Sequence, residues 1–211
     1  MKRLVFYTLL LGLFSQASFA QMQKGTWMLE GNVGLSSGEP TDPNSLAELG
    51  PQTGYTLNPK AGVFLNERLV VGLSGLYGNS WRKNEGTTDL PIAVEKTNML
   101  RYGGGVFVRN YVVIKESLSF FGEIGADFSK QKYQVKYPNS SDNIETDYSR
   151  DFSVQGTVGI QYLISPKIGV HLQTNLLEYQ LTQIYPGFGL KTSAFNAGIL
   201  HDLSIGLTIF L

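Results

Sequence analysis

Cysteine is absent from the 211 residues, histidine occurs twice, and charged residues make up only 16% of the chain. Without cysteine, a disulfide framework and a lipid-modified amino-terminal cysteine are excluded. Soluble domains carry about 25% charged residues, and a soluble β protein usually coats its outer face with Lys, Glu and Thr. The low charge, together with 24 glycines, argues against an ordinary soluble β domain.

Long apolar runs are missing as well, except at the amino terminus. Beyond residue 20 the unbroken apolar stretches reach only about five residues, whereas a transmembrane helix needs about 20. Any membrane-crossing segment in that part must therefore be a β-strand. At the amino terminus, two basic residues precede an apolar run over residues 4–14, which is too short to span, and small residues follow at Ser18 and Ala20. This pattern predicts a secretory signal peptide over residues 1–20, removed after Ala20.

The sequence also lacks a strong excess of either positive or negative charge. Two of the 17 Lys and Arg residues lie in the predicted signal peptide, which leaves 15 against 17 Asp and Glu in residues 21–211. This near-neutral balance gives no indication of nucleic-acid binding. The length suits a single domain.

The segment from Asn98 to Ser129 alternates between apolar and polar residues with the period of a β-strand. On each side of a polar break at residues 115–117, apolar residues occupy one face, and small and charged residues occupy much of the other. Each arm has about ten residues or more, against about five or six in a typical soluble strand, and a tilted strand needs about 9 to 11 to cross a bilayer. The segment therefore predicts a transmembrane β-hairpin, whose edges other strands must pair.

The same alternation recurs along residues 21–211 and predicts an all-β fold of eight strands. Long segments rich in Pro, Asp, Asn and Gly alternate with tight turns; the long segments are residues 37–53, 79–96, 130–149 and 182–193. This rhythm predicts an antiparallel up-and-down transmembrane β-barrel with its three tight turns at one end. Aromatic residues near the predicted strand ends would form the interfacial girdles: Trp27, Tyr55, Tyr77, Trp81, Tyr111, Phe128, Phe152 and Tyr162.

Residues 58–73, NPKAGVFLNERLVVGL, place proline, glycine and aromatic positions before a short turn and an apolar strand. With the loop rhythm, this pattern resembles the small eight-stranded outer membrane protein β-barrel family, and is similar to outer membrane protein X and the barrel domain of outer membrane protein A. The resemblance covers residues 21–211. It implies an outer-membrane location and the barrel-assembly machinery as a partner during biogenesis. In that family the last strand usually ends in an aromatic residue, whereas here Leu211 is last and Phe210 lies one position earlier, on the other face.

The charged face of the predicted strands would point into a barrel interior just wide enough for side chains. The predicted interior polar cluster consists of Glu30, Lys60, Arg101, Arg109, Glu123 and Asp127, with His171 on the same face. With a hairpin turn near residue 115, Arg109 would lie diagonal to Glu123, and Arg101 diagonal to Asp127, within reach of long side chains. The cluster predicts an ion-paired plug, since an unpaired buried charge is very unfavourable. A narrow ion pathway or a gated pore is the alternative.

The sequence contains no recognisable catalytic motif. His201 and Ser204 are close along the chain, but these two positions point to opposite faces of a strand. No metal-ligand spacing, phosphate-binding loop or nucleophile motif appears. We therefore expect no enzyme activity, metal or cofactor.

Basic and aromatic residues mix in the third long segment, where Lys130, Lys132 and Lys136 stand beside Tyr133 and Tyr137. A solvated extension of the strand accounts for them. The functional alternative is contact with the phosphates of lipopolysaccharide, for which ammonium groups at an outer rim are well suited.

These patterns predict a non-enzymatic, monomeric outer-membrane barrel with a structural, adhesive or envelope-interaction role, in contact with outer-membrane lipid. A small porin-like channel for ions or small solutes is the alternative function. A secreted soluble barrel that binds an apolar ligand is a third hypothesis, and it requires the apolar face to point inward.

Overall fold

The computed structural model describes residues 22–38, 49–84, 96–136, 143–184, 189–198 and 203–211. The predicted signal peptide, His201 and parts of the four long segments lie outside these described residues. The regular structure that the described residues form is β-strand. None of them belongs to a helix long and apolar enough to cross a membrane.

Within these described ranges, nine strand segments close into one antiparallel barrel. In chain order they are β1 (Trp27–Gly38), β2 (Leu49–Phe64), β3 (Leu69–Asn84), β4 (Lys96–Lys115), β5 (Leu118–Lys136), β6 (Asn143–Ser165), β7 (Ile168–Ile184), β8 (Leu190–Ala197) and β9 (Ser204–Phe210). Strands β1 to β7 pair in chain order, and β9 pairs with β1 to close the ring, with Met28 opposite Phe210.

Two of these segments, β8 and β9, together form one strand of the barrel wall. Both lie alongside β7: Ile184 is opposite Leu190 of β8, and Ile168 is opposite Ile209 of β9. The barrel is therefore eight-stranded and up-and-down, and the prediction of an eight-stranded antiparallel barrel is confirmed.

The three tight turns lie at one end of the barrel, at residues 65–68, 116–117 and 166–167. We call this the turn end, and the opposite end the loop end. Side chains shape two of these turns: Asn66 Oδ1 accepts hydrogen bonds from the backbone N–H groups of Arg68 and Leu69, both at 2.9 Å, and Ser165 Oγ accepts from two backbone N–H groups of its turn. Short polar side chains favour such turns because they bond to the backbone a few residues ahead.

The apolar face of each strand points out of the barrel. Arg109 is fully buried in the interior and Glu123 is 3% exposed, while Ile124 on the opposite face is 69% exposed. Six apolar residues that a soluble barrel would pack at its centre instead lie on the outside, partly or well exposed: Leu100, Val106, Phe120, Ile124, Val158 and Ile205. This orientation is that of a lipid-embedded barrel, and it contradicts the hypothesis of a soluble barrel with an apolar interior.

The strands are longer than predicted at the loop end. Strand β5 continues to Lys136 and β7 to Ile184, into stretches that the sequence analysis assigned to long loops. The physical reason is that a strand pair can continue beyond the lipid with polar residues on both faces, so that loss of the apolar alternation does not end it.

The hairpin register also differs from the prediction. The turn consists of residues 116–117, and a bulge follows Val113, so Arg109 lies directly opposite Glu123 rather than diagonal to it. The same shift places Arg101 opposite Gln131. A turn position that is wrong by one residue moves every cross-strand pair of a hairpin by two.

Candidate functional site: the barrel lumen

The side chains on one face of each strand line the lumen. Glycines in the barrel wall make room for the large side chains among them. Gly62 and Gly72 lie opposite each other on β2 and β3. The Phe107 ring lies so close to them that a Cβ atom on Gly72 would come within 2.7 Å of Phe107 Cε1 and 2.2 Å of the Ala61 carbonyl oxygen. Small residues in the wall thus allow an aromatic ring to fill the space.

Arg109 is the centre of the polar cluster. Its Nη1 lies 2.5 Å from Glu30 Oε2, and its Nη2 donates to Glu30 Oε1 at 2.9 Å, which makes the pair bidentate. Its Nε donates to Glu123 Oε2 at 2.7 Å. These charge-assisted hydrogen bonds connect Arg109 on β4 to one carboxylate across the lumen on β1 and to another on the adjacent strand β5.

Lys60 completes a group that we call the salt-bridge plug, formed by Glu30, Lys60, Arg109 and Glu123. Lys60 Nζ forms an ion pair with Glu123 and lies 4.0 Å from Glu30 Oε1. Two carboxylates thus meet two cations, and all four residues are at most 9% exposed. The plug therefore has no net charge, which is the condition under which buried charges are tolerated.

His171 lies against the plug, with its Nε2 atom 3.6 Å from Glu30 Oε1, and its hydrogen-bond partners are neutral groups. Its Nε2 donates to Asn32 Oδ1 at 2.7 Å, because an amide oxygen only accepts. Its Nδ1 lies 3.1 Å from Thr208 Oγ1, and Asn32 Nδ2 donates to Glu30 Oε1 at 3.2 Å. This chain of contacts links β7 and β9 to the carboxylate on β1.

Below the plug, toward the turn end, aromatic side chains fill the lumen. This layer, which we call the aromatic floor, consists of Phe64, Tyr111, Phe121 and Phe210, each at most 3% exposed. Phe64 stacks on Tyr111 with ring centroids 5.8 Å apart, and Tyr111 contacts Phe121 at 5.7 Å. The Arg109 guanidinium lies 4.1 Å from the Phe121 ring centroid, so the two layers are in direct contact.

The assignment of Tyr111 to an interfacial girdle is wrong. Its ring is fully buried in the lumen, and its hydroxyl accepts a hydrogen bond from Arg109 Nη1 at 3.1 Å. The sequence held the signal for this, because Tyr111 is two residues from Arg109 and so shares its face. The other predicted girdle residues point outward, and Tyr55 clusters there with Tyr77 and Trp81 at 6.3 Å from each.

The remaining two residues of the predicted cluster lie in the lumen but outside the plug. Arg101 Nε donates to Ser129 Oγ at 3.2 Å. Asp127 accepts from Ser74 Oγ at 2.5 Å and from Gln155 Nε2 at 3.0 Å. The structure therefore brings four of the six predicted residues together, and gives Arg101 and Asp127 neutral partners instead of each other.

A buried carboxylate that the sequence analysis did not single out lies nearer the loop end. Asp151 is 4% exposed and accepts hydrogen bonds from Thr182 Oγ1 at 2.6 Å, Gln180 Nε2 at 3.2 Å and Ser149 Oγ at 3.1 Å. Its position in the inward phase of β6 was the available signal. In the described ranges, no group of three or more His, Cys, Asp or Glu residues is arranged to hold a metal ion.

A cavity lies in the lumen near the loop end. Its volume is about 200 Å³, and it is lined by Gln52, Ser80, Trp81, Arg82, Thr97, Met99 and Tyr133. Arg82 Nη2 donates to Gln52 Oε1 at 2.8 Å in its wall. The salt-bridge plug and the aromatic floor lie between this cavity and the turn end, so the cavity does not continue through them.

Several solved structures are similar to the chain over most of its length. Neisserial surface protein A is 13% identical, with 88% of this chain and 96% of that chain covered at a TM-score of 0.42. Ail, the attachment invasion locus protein of Yersinia pestis, is 14% identical, with 89% and 95% covered at a TM-score of 0.38. The outer membrane protein OprG from Pseudomonas aeruginosa is 12% identical, with 90% and 97% covered at a TM-score of 0.46.

Among curated proteins, none matches the chain. The family described as "Outer membrane protein beta-barrel domain" matches residues 6–200, which is most of the chain. The closed eight-stranded barrel with its apolar outer face is the structure that such a domain requires. The chain therefore belongs to the outer membrane protein beta-barrel domain family, whose members are placed in the outer membrane.

Proposed function

We propose that this protein is a sealed, non-enzymatic barrel that acts at the surface of the envelope, in a structural, adhesive or envelope-interaction role. The observation that carries the proposal is the salt-bridge plug. Arg109 is fully buried between Glu30 and Glu123, so ion-paired side chains occupy the lumen at this level.

The aromatic floor supports the same conclusion independently. A hydrated ion that passed the plug would next meet Phe64, Tyr111 and Phe121, whose rings contact one another. Moving an ion through such an apolar layer is strongly unfavourable. Two consecutive barriers of different chemistry therefore close the lumen.

We propose no catalytic activity because the polar side chains of the plug and His171 are already bonded to neighbouring groups. The plug residues satisfy one another, and His171 is held by Asn32 and Thr208. A general base needs a reacting group within hydrogen-bond reach. The geometry of His171 instead matches that of a structural side chain.

A small channel is the competing function, and the cavity near the loop end favours it. Planar-bilayer recording and liposome swelling of the full-length protein distinguish the two. We expect no discrete conductance and no swelling with small sugars. Discrete openings of the wild-type protein, further enlarged by removing the charges of Arg101 and Arg109, would establish a channel and contradict the proposal.

A further inference from the structure

A row of outward-facing basic residues crosses the barrel wall near the loop end. The register places Tyr102 opposite Lys130, Lys130 opposite Arg150, Arg150 opposite Gln183, and Gln183 opposite Lys191. Three cations thus occur among five consecutive cross-strand positions. The row lies on the outer wall and is separate from the lumen.

The centre of this row is a repulsive pair. Residues directly opposite in an antiparallel pair have Cβ atoms about 4.5 to 5.5 Å apart, and like charges there are destabilising. Lys130 and Arg150 stand in this relation. In the part of the chain that the structure describes, neither has a carboxylate partner within 4.0 Å. An anion bound between them would remove the repulsion.

The neighbouring row shows which kind of anion can reach them. Phe128 and Phe152 lie opposite each other two residues nearer the turn end, on the same outward face, and are 47% and 42% exposed. They continue the apolar surface that contacts acyl chains. A ligand that contacts both rows must therefore carry an anionic group next to an apolar part.

At the turn end, no basic residue of the described ranges lies opposite another cation in the strand register. Its exposed basic residues include Arg68 and Lys115, and each is adjacent in sequence to a glutamate, Glu67 and Glu116. Short turns of outer-membrane barrels face the periplasm and the long loops face outward. The basic row therefore belongs to the outer leaflet.

We propose that Lys130 and Arg150 bind the phosphate group of a phosphorylated glycolipid of the outer leaflet, lipopolysaccharide. Both groups donate charge-assisted hydrogen bonds to phosphate, and Arg150 can do so with two N–H groups. Tyr102, beside Lys130 in the row, supplies an aromatic ring at the membrane interface. The site is on the outer wall, so it does not depend on whether the lumen conducts.

Native mass spectrometry of the full-length protein in detergent tests the site. The probes are lipid A with two phosphates, the same lipid dephosphorylated, phosphatidylglycerol, and inorganic phosphate. We expect the protein to prefer the diphosphorylated lipid A to all three others. The variant Lys130→Gln/Arg150→Gln should lose about tenfold or more in affinity, since each basic residue near a charged membrane surface contributes about a factor of five or more, and added salt should act in the same direction.

The matched control is Arg68→Gln/Lys167→Gln, which removes one arginine and one lysine, both exposed, at the turn end. It should leave lipid binding unchanged. The charge-conserving variant Lys130→Arg/Arg150→Lys should retain binding, and heat-modifiable gel migration should show that every variant is folded. Equal binding of dephosphorylated lipid, equal binding of phosphatidylglycerol, full competition by inorganic phosphate, or an equal loss in the control would each overturn the proposal.

Discussion

Arg109 and Glu30 form a bidentate ion pair across the lumen, although they are 79 residues apart in the chain. Their strands, β4 and β1, are separated in the wall by β2 and β3. The contact therefore exists only because the sheet closes into a barrel, and it connects opposite sides of the wall through the interior.

Replacing Arg109 by alanine should strongly destabilise the barrel. The substitution would leave the carboxylates of Glu30 and Glu123 with Lys60 as their remaining buried cation. Removing one partner of a buried ion pair costs about 3 to 5 kcal/mol. Urea unfolding of the protein in lipid vesicles, followed by tryptophan fluorescence, measures the change.

The control for this prediction is Arg101→Ala. Arg101 lies in the same lumen but donates to Ser129, a neutral partner, so its loss should cost only about 1 kcal/mol. Similar losses for the two variants would show that the plug is not the main polar support of the barrel.

Adding a methyl group at Gly72 should also destabilise the barrel. The new Cβ would lie 2.2 Å from the Ala61 carbonyl oxygen and 2.7 Å from Phe107 Cε1, so backbone and ring must both move. Overpacking of this kind costs about 1 to 3 kcal/mol. The same unfolding measurement applies to Gly72→Ala.

Gly122→Ala provides the comparison, because nothing lies within 4 Å of a Cβ atom built at that position. Its stability should equal or slightly exceed that of the wild type, since alanine restricts the unfolded chain more than glycine does. A loss at Gly122 as large as that at Gly72 would mean that crowding against Phe107 is not the cause.

The loss of stability caused by a lysine on the outer face should depend on its depth in the membrane. Ile124 lies midway along β5, facing lipid at 69% exposure, and Ile124→Lys should cost about 2 to 4 kcal/mol in vesicles. Ile164 is next to a tight turn and 52% exposed. Ile164→Lys should cost at most about 1 kcal/mol.

The two lysine variants should differ little in a detergent micelle, where lysine side chains reach water more easily. Folding yield into vesicles, read by heat-modifiable migration, gives a second measurement of the same effect. An Ile124→Lys variant that folds and unfolds in vesicles like the wild type would contradict the placement of this face in lipid.

The sequence alone predicted which side chains face the lumen and which face outward, because this depends only on local strand geometry. Successive side chains of a strand point to opposite sides, so the phase of Arg109 and Ile124 follows from their positions alone. The same rule assigns Tyr111 to the lumen, and it was overridden only by the expectation that aromatic residues near strand ends belong to girdles.

Contacts between strands were harder to predict from the sequence. Whether Arg109 lies opposite or diagonal to Glu123 depends on a two-residue turn and a bulge after Val113, and alternation alone does not locate either. The extent of the strands beyond the lipid was also missed, because polar residues on both faces give no period to follow.

By itself, the sequence determined the all-β class, the number of strands and which side chains face the lumen, since all three follow from a local period of two and from the spacing of the turns. Only the tertiary structure decided that Arg109 meets Glu30, that Asp127 meets Ser74 and Gln155 rather than Arg101, and that Phe107 packs against Gly62 and Gly72. The physical reason is that register, bulges and closure of the sheet set the distances across the lumen, and these depend on all eight strands at once.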